Sequence, residues 1–295
     1  MKIFVASLFL SVLIKYHELF PDEPLNVLIS LAYNWAERKG FLVDCRHMMD
    51  EVIGDSGAWS EAHGTSNITL KEVIATFKMK GHLFNRYFSF DTDFSDKGFE
   101  NNISNQLKME KAGLMPIPVI HNLFDHEIDY YLNARKYDWL ALGSSQSTNF
   151  DDIRYAVDRI KTWGDKNIRI HLFGSSRFEW LINLPIAACD TTSWAQTGKF
   201  GEIHFWNPHE EKLNKTHAVY LGGRMKDLKE DEYHFVTYPW RRELEEYLDQ
   251  TFHFTYQDLC GYGDKFHMQV VNTRFYVELE KRINAERIKR GIALE

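Results

Sequence analysis

Residues 168–191 read IRIHLFGSSRFEWLINLPIAACDT and contain two short apolar runs, at residues 168–174 and 186–191. Neither run alternates between apolar and polar residues, which is typical of parallel strands covered on both faces. Between them, residues 178–184 have a helical pattern that Ser175 or Ser176 can cap. The stretch therefore predicts a strand, a helix and a second, parallel strand.

Six further runs of this kind precede the stretch, at residues 2–7, 26–32, 51–56, 87–93, 115–121 and 138–144. Helical patterns fill intervals between them, for example at residues 70–79 and at residues 151–163 after the capping residue Asn149. This alternation predicts βαβ units and a parallel sheet. Eight strands within about 190 residues match an α/β fold of the (β/α)8 TIM-barrel type, with a doubly wound open sheet as the alternative.

The two ends of the chain have different patterns. Residues 3–14 resemble the apolar part of a signal peptide, but no small-x-small cleavage site follows, which favours a buried first strand at residues 3–6. Beyond Thr192 the apolar runs give way to turn and charge signals and to helical patterns at residues 239–250 and 272–290. We predict one domain over residues 1–295, with a barrel core at about 1–205 and a short helical C-terminal appendage at about 206–295.

The composition excludes several classes of protein. Hydrophobic residues make up 44% and charged residues 26% of the 295 residues, so we expect neither a disordered chain nor a membrane protein. Cys45, Cys189 and Cys260 are widely spaced, which favours a reducing compartment such as the cytoplasm over a disulfide framework. A net charge of −7 argues against general binding to nucleic acid but allows a local basic groove.

Acids and small residues stand at the ends of the predicted strands. Asp55, Asp91 and Asp190 follow apolar runs, as do His121, Gly143 and Gly174. Strand ends of a parallel barrel converge on one mouth, where catalytic groups lie. Taken singly, such an Asp is more often a helix N-cap, and the histidine and glycines have ordinary structural explanations. Together, the three acids predict a polar pocket for a flat ligand.

Five segments resemble one enzyme family. Asp55-Ser56-Gly57-Ala58-Trp59-Ser60 is similar to the Asp-Ser-Gly-Gly-Phe-Gln segment of tRNA-guanine transglycosylases. It is more similar to the Asp-Ser-Gly-Ala-Phe-Ser form of shorter phage and bacterial relatives that are associated with 7-deazaguanine in DNA. The other segments follow in the family's order, between about residues 1 and 205: Phe90-Asp91, Leu140-Ala141-Leu142-Gly143, His171-Leu172-Phe173-Gly174 and Cys189-Asp190-Thr191-Thr192-Ser193-Trp194.

The resemblance implies base exchange on a nucleic acid. Asp190 would attack the sugar C1′ and release guanine, and Asp55 would be the general acid and base. Asp91 would accept hydrogen bonds from N1 and N2 of the purine, because two ionised oxygens suit two donors. The resemblance and the strand-end positions add further substrate-binding candidates: Ser56, His121 (where the family has a Gln), Gly143, Ser144, Gly174 and Trp194.

Chemistry sets what these acids need. A transfer with retained configuration takes a nucleophile and an acid/base, as in retaining glycosidases. Burial should raise the pKa of Asp55 towards the working pH, while donors such as Ser193 should keep Asp190 ionised.

One departure from the family concerns zinc. The tRNA enzymes carry a Cys-x-Cys-x-x-Cys site with a later His, whereas the corresponding stretch here has only Cys260 and His267. A structural zinc needs four ligands, so we predict no zinc subdomain, no metal and no cofactor. This favours DNA over tRNA. Candidates for contacts with the nucleic acid are Lys199, Arg224, Arg241 and Arg242.

The leading hypothesis is a pentosyltransferase that exchanges guanine in DNA for a free 7-deazaguanine base. The alternatives are the same reaction on tRNA, an N-glycosidase that hydrolyses a purine nucleoside or nucleotide, and a non-catalytic partner of a true transglycosylase. Retention of both Asp55 and Asp190 argues against the last of these.

Overall fold

The chain forms two compact units. The structure, a computed structural model, describes residues 1–32, 41–95, 97–124, 126–143, 149–164, 166–222, 228, 232–260 and 265–292. The sheet unit comprises Met1–Ser7, Leu25–Thr191 and Ile283–Glu295. The second unit comprises Leu8–Pro24 and Thr192–Arg282.

The sheet unit is built on eight parallel strands, as the apolar runs predict. Their order is β4-β3-β2-β1-β8-β7-β6-β5, so the first strand lies between the second and the last, and the sheet curls. This central position confirms that the N-terminal apolar run is a strand, and the order is not that of a doubly wound sheet. The strands are β1 Lys2–Ala6, β2 Leu25–Ser30, β3 Met49–Asp55, β4 Arg86–Tyr87, β5 Val119–Ile120, β6 Trp139–Leu142, β7 Arg169–Leu172 and β8 Ala188–Thr191.

The fold is TIM-barrel-like, but the sheet is not a closed barrel. Between β4 and β5 the described residues form only an isolated parallel bridge, from Phe88 to Ile117, where the Ile117 N–H donates to Tyr87 O over 2.8 Å. The Ser89 N–H donates in turn to Ile117 O over 2.9 Å, and in the described part of the chain no strand pairing extends this bridge into a ladder. The α/β class and the parallel sheet are therefore confirmed, whereas full closure is not.

Helices follow most of the strands. Capping boxes at Thr69 with Glu72 and at Asn149 with Asp152 start the fourth and seventh helices near the predicted residues. The predicted serine cap of the eighth helix is wrong, because its N-cap is Arg177 and has no side-chain cap bond. The helices are α1 Leu10–Leu19, α2 Phe41–Asp44, α3 Ala58–Ala62, α4 Leu70–Lys80, α5 Phe99–Lys111, α6 Glu127–Ala134, α7 Phe150–Trp163, α8 Phe178–Leu181, α9 Ser193–Lys199, α10 Arg241–Phe252, α11 Tyr256–Cys260 and α12 Lys265–Lys289. Short 3-10 helices lie at Arg46–Met48, Gly81–Leu83 and Phe235–Thr237.

A core of inward-facing side chains fills the curled sheet. It draws buried residues from seven of the eight strands or their flanks, including Phe4, Ile53, Phe88 and Ala141, and the partly buried Phe173, which follows β7, packs against it. This core lies between the strands and supports their carboxyl ends.

The second unit contains a small sheet that the sequence analysis does not predict. β9 (Glu202–Trp206) pairs antiparallel with β10 (Thr216–Tyr220), which pairs parallel with β11 (Glu232–His234). The second unit therefore contains strands that were not predicted, whereas α10 and α12 overlap the two predicted helices. No helix within the described ranges is both long and apolar enough to cross a membrane.

Candidate active site

Six of the predicted site residues lie at one end of the sheet. All eight strands run in the same direction, so their carboxyl ends lie along one edge. Asp55 ends β3 and Asp190 lies in β8, whereas the other four lie one to four residues beyond the strands β4 to β7: Asp91, His121, Gly143 and Gly174. All of them belong to the sheet unit.

Asp190 is held by two donors on a single oxygen. His171 Nε2 lies 3.0 Å from Asp190 Oδ1, and the Gly174 N–H donates to the same atom over 3.1 Å. Gly174 has a φ of 61°, a left-handed conformation that suits glycine and turns its N–H towards β8. The two donors hold the carboxyl group of the candidate nucleophile in one orientation.

His171 is a site residue that the sequence analysis missed. From the sequence, Ser193 is the expected donor to Asp190; in the structure, His171 and Gly174 hydrogen-bond to this carboxyl group. The strand period contains the signal, since His171 is opposite Ala188 in the register and Asp190 lies two residues further along the same face of β8.

Asp55 has the properties of a proton-transfer group. Burial raises its pKa from 3.8 to about 6, and the negative charges of Asp91 and Asp190 add to this increase. Hydrogen bonds from the Ser30 side chain and the Gly57 backbone act in the opposite direction. A Cβ at Gly57, whose φ is 83°, would lie 2.8 Å from the Ala32 backbone nitrogen, so only glycine fits this turn.

We expect the raised pKa of Asp55 to make the folded chain less stable at neutral pH. A carboxyl whose folded pKa exceeds its unfolded value stabilises the fold below the unfolded pKa and loses that contribution as pH rises through the folded pKa, here between about pH 4 and about pH 6. The loss is at most roughly 3 kcal/mol. The free energy of unfolding of Asp55→Asn, relative to that of wild type, should therefore increase by up to this amount between about pH 4 and pH 7. Urea unfolding at each pH measures this difference.

Asp50→Asn is the matched control for this measurement. Asp50 lies on the same strand, near its other end, and pairs with Lys2 at the surface. A wild-type protein and an Asp55→Asn variant with the same pH dependence of unfolding free energy would contradict the assignment.

Asp91 and His121 form a second pair. His121 Nε2 lies 2.7 Å from Asp91 Oδ2. Burial raises the pKa of Asp91, against the hydrogen bond from His121. Burial alone would lower the pKa of His121, but the hydrogen bond to Asp91 outweighs this effect and raises it. The two side chains therefore form a coupled hydrogen-bonded pair, and a Cβ at Gly143 would lie only 3.1 Å from His121 Nδ1.

An exposed aromatic group, also missed from the sequence, continues from this pair. Trp59 is 56% exposed and Phe94 40% exposed, and their rings meet edge to face with centroids 5.4 Å apart. His63 lies against Trp59 at 3.8 Å, and Phe94 meets His121 at 4.8 Å. Exposed rings next to the Asp91–His121 pair can stack on a flat heterocycle.

Two predicted substrate-binding side chains are buried in other contacts. The Ser56 hydroxyl donates to Ser89 O over 2.7 Å, which ties the end of β3 to the segment after β4. Trp194 belongs to the second unit, where its fully buried ring meets Phe9 edge to face. Ser144 lies outside the described residues.

Three of the predicted basic residues, Lys199, Arg241 and Arg242, lie in the second unit. Lys199 ends α9 and is exposed. Arg241 and Arg242 form ion pairs one helical turn along with Glu245 and Glu246, which reduces the charge that they offer to a phosphate. Arg224 is not among the described residues.

Neither a metal site nor a similarity to known proteins assigns a function to this site. Within the described ranges, no three or more His, Cys, Asp or Glu side chains are grouped to hold a metal ion. No protein-family model matches the chain, and no curated protein matches its sequence. The likeness to transglycosylases therefore stays an interpretation of the five segments.

Proposed function

We propose that the chain is a pentosyltransferase that exchanges guanine in DNA for a free 7-deazaguanine base. The observation that carries this proposal is the presence, at the carboxyl-terminal end of the sheet, of two carboxyl groups with different surroundings. Asp190 receives two hydrogen bonds on one oxygen, as suits a nucleophile, whereas burial raises the pKa of Asp55 to about 6, as suits a proton carrier. The two carboxyl groups therefore differ in their surroundings in a way that suits two different roles.

The reaction takes two displacements at the sugar C1′. In the first, an Asp190 oxygen forms a bond to C1′, the bond from C1′ to guanine N9 breaks, and Asp55 gives its proton to the departing base. In the second, Asp55 takes the N9 proton of the incoming deazapurine, N9 bonds to C1′, and Asp190 departs. Protons balance over the cycle, and two inversions retain the configuration.

Asp91 and His121 would bind the base. Asp91 offers acceptor oxygens to the N1–H and 2-amino groups of guanine, while His121 holds the carboxyl through Oδ2. Trp59 and Phe94 would stack on the heterocycle or on a neighbouring base. The base-reading pair and the two aromatic rings lie in the same sheet unit as Asp55 and Asp190.

We expect Asp91→Asn to weaken guanine binding by about 10- to 100-fold, because a hydrogen bond to a charged group contributes about 1.5–3 kcal/mol. Hypoxanthine lacks the 2-amino group and should lose less affinity. Calorimetric titration of both bases checks this difference. Equal losses for the two bases would show that Asp91 does not read the 2-amino group.

The proposal is tested by offering isotope-labelled 7-deazaguanine with DNA, with tRNA or with guanosine. We expect label in DNA and one guanine released per label incorporated. Label in tRNA alone would favour the tRNA reaction, and guanine release without label would favour the N-glycosidase. A chain that neither releases guanine nor incorporates label on any substrate would overturn the proposal.

A further inference from the structure

We infer that His171 is a positioning residue that, as a neutral Nε2–H imidazole, holds Asp190 Oδ1 and leaves Oδ2 to attack C1′. This inference rests on the proposed function and deepens it. Its basis is the placement of the two ring nitrogens and of the two donors on Asp190.

The surroundings of His171 determine which ring nitrogen carries the proton. The side chain is fully buried, and Nδ1 has no hydrogen-bond partner in the part of the chain that the structure describes. The rings of Phe88 and Phe173 lie 4.8 and 4.9 Å from the imidazole and offer Nδ1 no carboxylate or carbonyl acceptor. A proton on Nδ1 would therefore be a buried, unsatisfied donor, whereas a proton on Nε2 has Asp190 Oδ1 at 3.0 Å.

The two donors make the carboxyl group asymmetric. The His171 Nε2–H and the Gly174 N–H come from β7 and from the turn after it, and both reach Oδ1. Two donors from different directions fix the rotation of the carboxyl group about its Cβ–Cγ bond. Oδ2 keeps its lone pairs, since no residue of the described ranges is seen to donate to it.

This asymmetry assigns the atoms of the reaction. The Oδ2–C1′ bond forms while the C1′–N9 bond breaks, and the electron pair of that bond leaves with guanine, which takes its proton from Asp55. Oδ1 becomes the carbonyl oxygen of the ester and keeps both donors. His171 gains and loses no proton, and its fully buried ring does not reach the substrate. Its contribution is orientation, because a misplacement of about 1 Å can slow a reaction by about 10²-fold.

Three variants separate orientation from packing. His171→Gln places an amide N–H near the position of Nε2, His171→Asn is also an amide but too short to reach it, and His171→Leu fills the space without a donor. We expect the Leu and Asn variants to slow single-turnover adduct formation by about 10²-fold, while affinity for free 7-deazaguanine changes less than about twofold. His171→Gln should recover most of the rate, which general damage to the core would not allow.

Nitrogen-15 NMR of the imidazole tests the tautomer without any turnover. We expect the Nε2–H pattern in the resting protein, with a changed Nε2 signal in Asp190→Asn. A proton on Nδ1 at about pH 7 would overturn the inference. So would a His171→Leu variant that forms adduct at the wild-type rate, and in that case the proposed function would stand. A wild-type protein without base exchange would remove the proposed function and the positioning role with it, whereas the NMR spectrum would still report the tautomer.

Discussion

Asp190→Asn is expected to abolish the covalent adduct with nucleic acid and to slow base exchange by about 10⁴-fold or more, the scale seen when a catalytic nucleophile is lost. An amide oxygen is a poor nucleophile, but it can still accept the hydrogen bonds from His171 and Gly174. The fold and the affinity for free base should therefore be nearly unchanged. The adduct is measured by denaturing electrophoresis and by mass spectrometry of the intact complex.

The control for this variant is again Asp50→Asn. It removes one carboxylate of the same sheet unit near the start of β3, where the Lys2 pair is largely solvated and contributes little to stability. We expect its adduct yield to equal that of wild type. An adduct that persists in Asp190→Asn, with its peptide mapped elsewhere, would show that another residue is the nucleophile.

Asp55→Asn should slow both half-reactions, by about 10²- to 10⁴-fold, because it removes the general acid and base. The two halves should also respond to pH in opposite directions in wild type. Guanine departure needs protonated Asp55 and should slow as pH rises through about 6, where the group loses its proton. Attack by the incoming deazapurine needs ionised Asp55 and should accelerate over the same interval. Single-turnover rates of adduct formation and resolution measure the two limbs separately.

A charged leaving group provides a specific control for this role. 7-Methylguanine in the nucleic acid is cationic and departs without taking a proton. Adduct formation in Asp55→Asn should therefore be largely restored with this base but not with guanine. An equal defect with both bases, or opposite pH limbs that persist in Asp55→Asn, would exclude Asp55 as the proton carrier.

The sequence predicts the eight strands well because each apolar run is a local signal. It does not predict the break in the sheet, since that depends on how far the segments around Phe88 and Ile117, which are distant in sequence, pair beyond a single bridge. β9 to β11 are not predicted either, because these strands contain polar residues, such as His204 and Glu232, that resemble turn signals.

The predicted site residues follow from strand ends, but their interactions do not. Asp55, Asp91 and Asp190 could be singled out because parallel strands share one edge. The donor on Asp190 depends on the register of β7 against β8, and the raised pKa of Asp55 depends on how much water the neighbouring segments displace. Both are long-range properties that a local pattern does not contain.

The most direct measurement is a crystal structure of the protein with guanine or 7-deazaguanine bound. In such a structure, we expect the N1 and 2-amino groups of the base to lie within hydrogen-bond distance of the Asp91 carboxyl group. The carboxyl groups of Asp55 and Asp190 should flank the position of N9, where the sugar would attach. A purine bound away from this edge of the sheet, or one that turns N1 and its 2-amino group away from Asp91, would contradict this expectation.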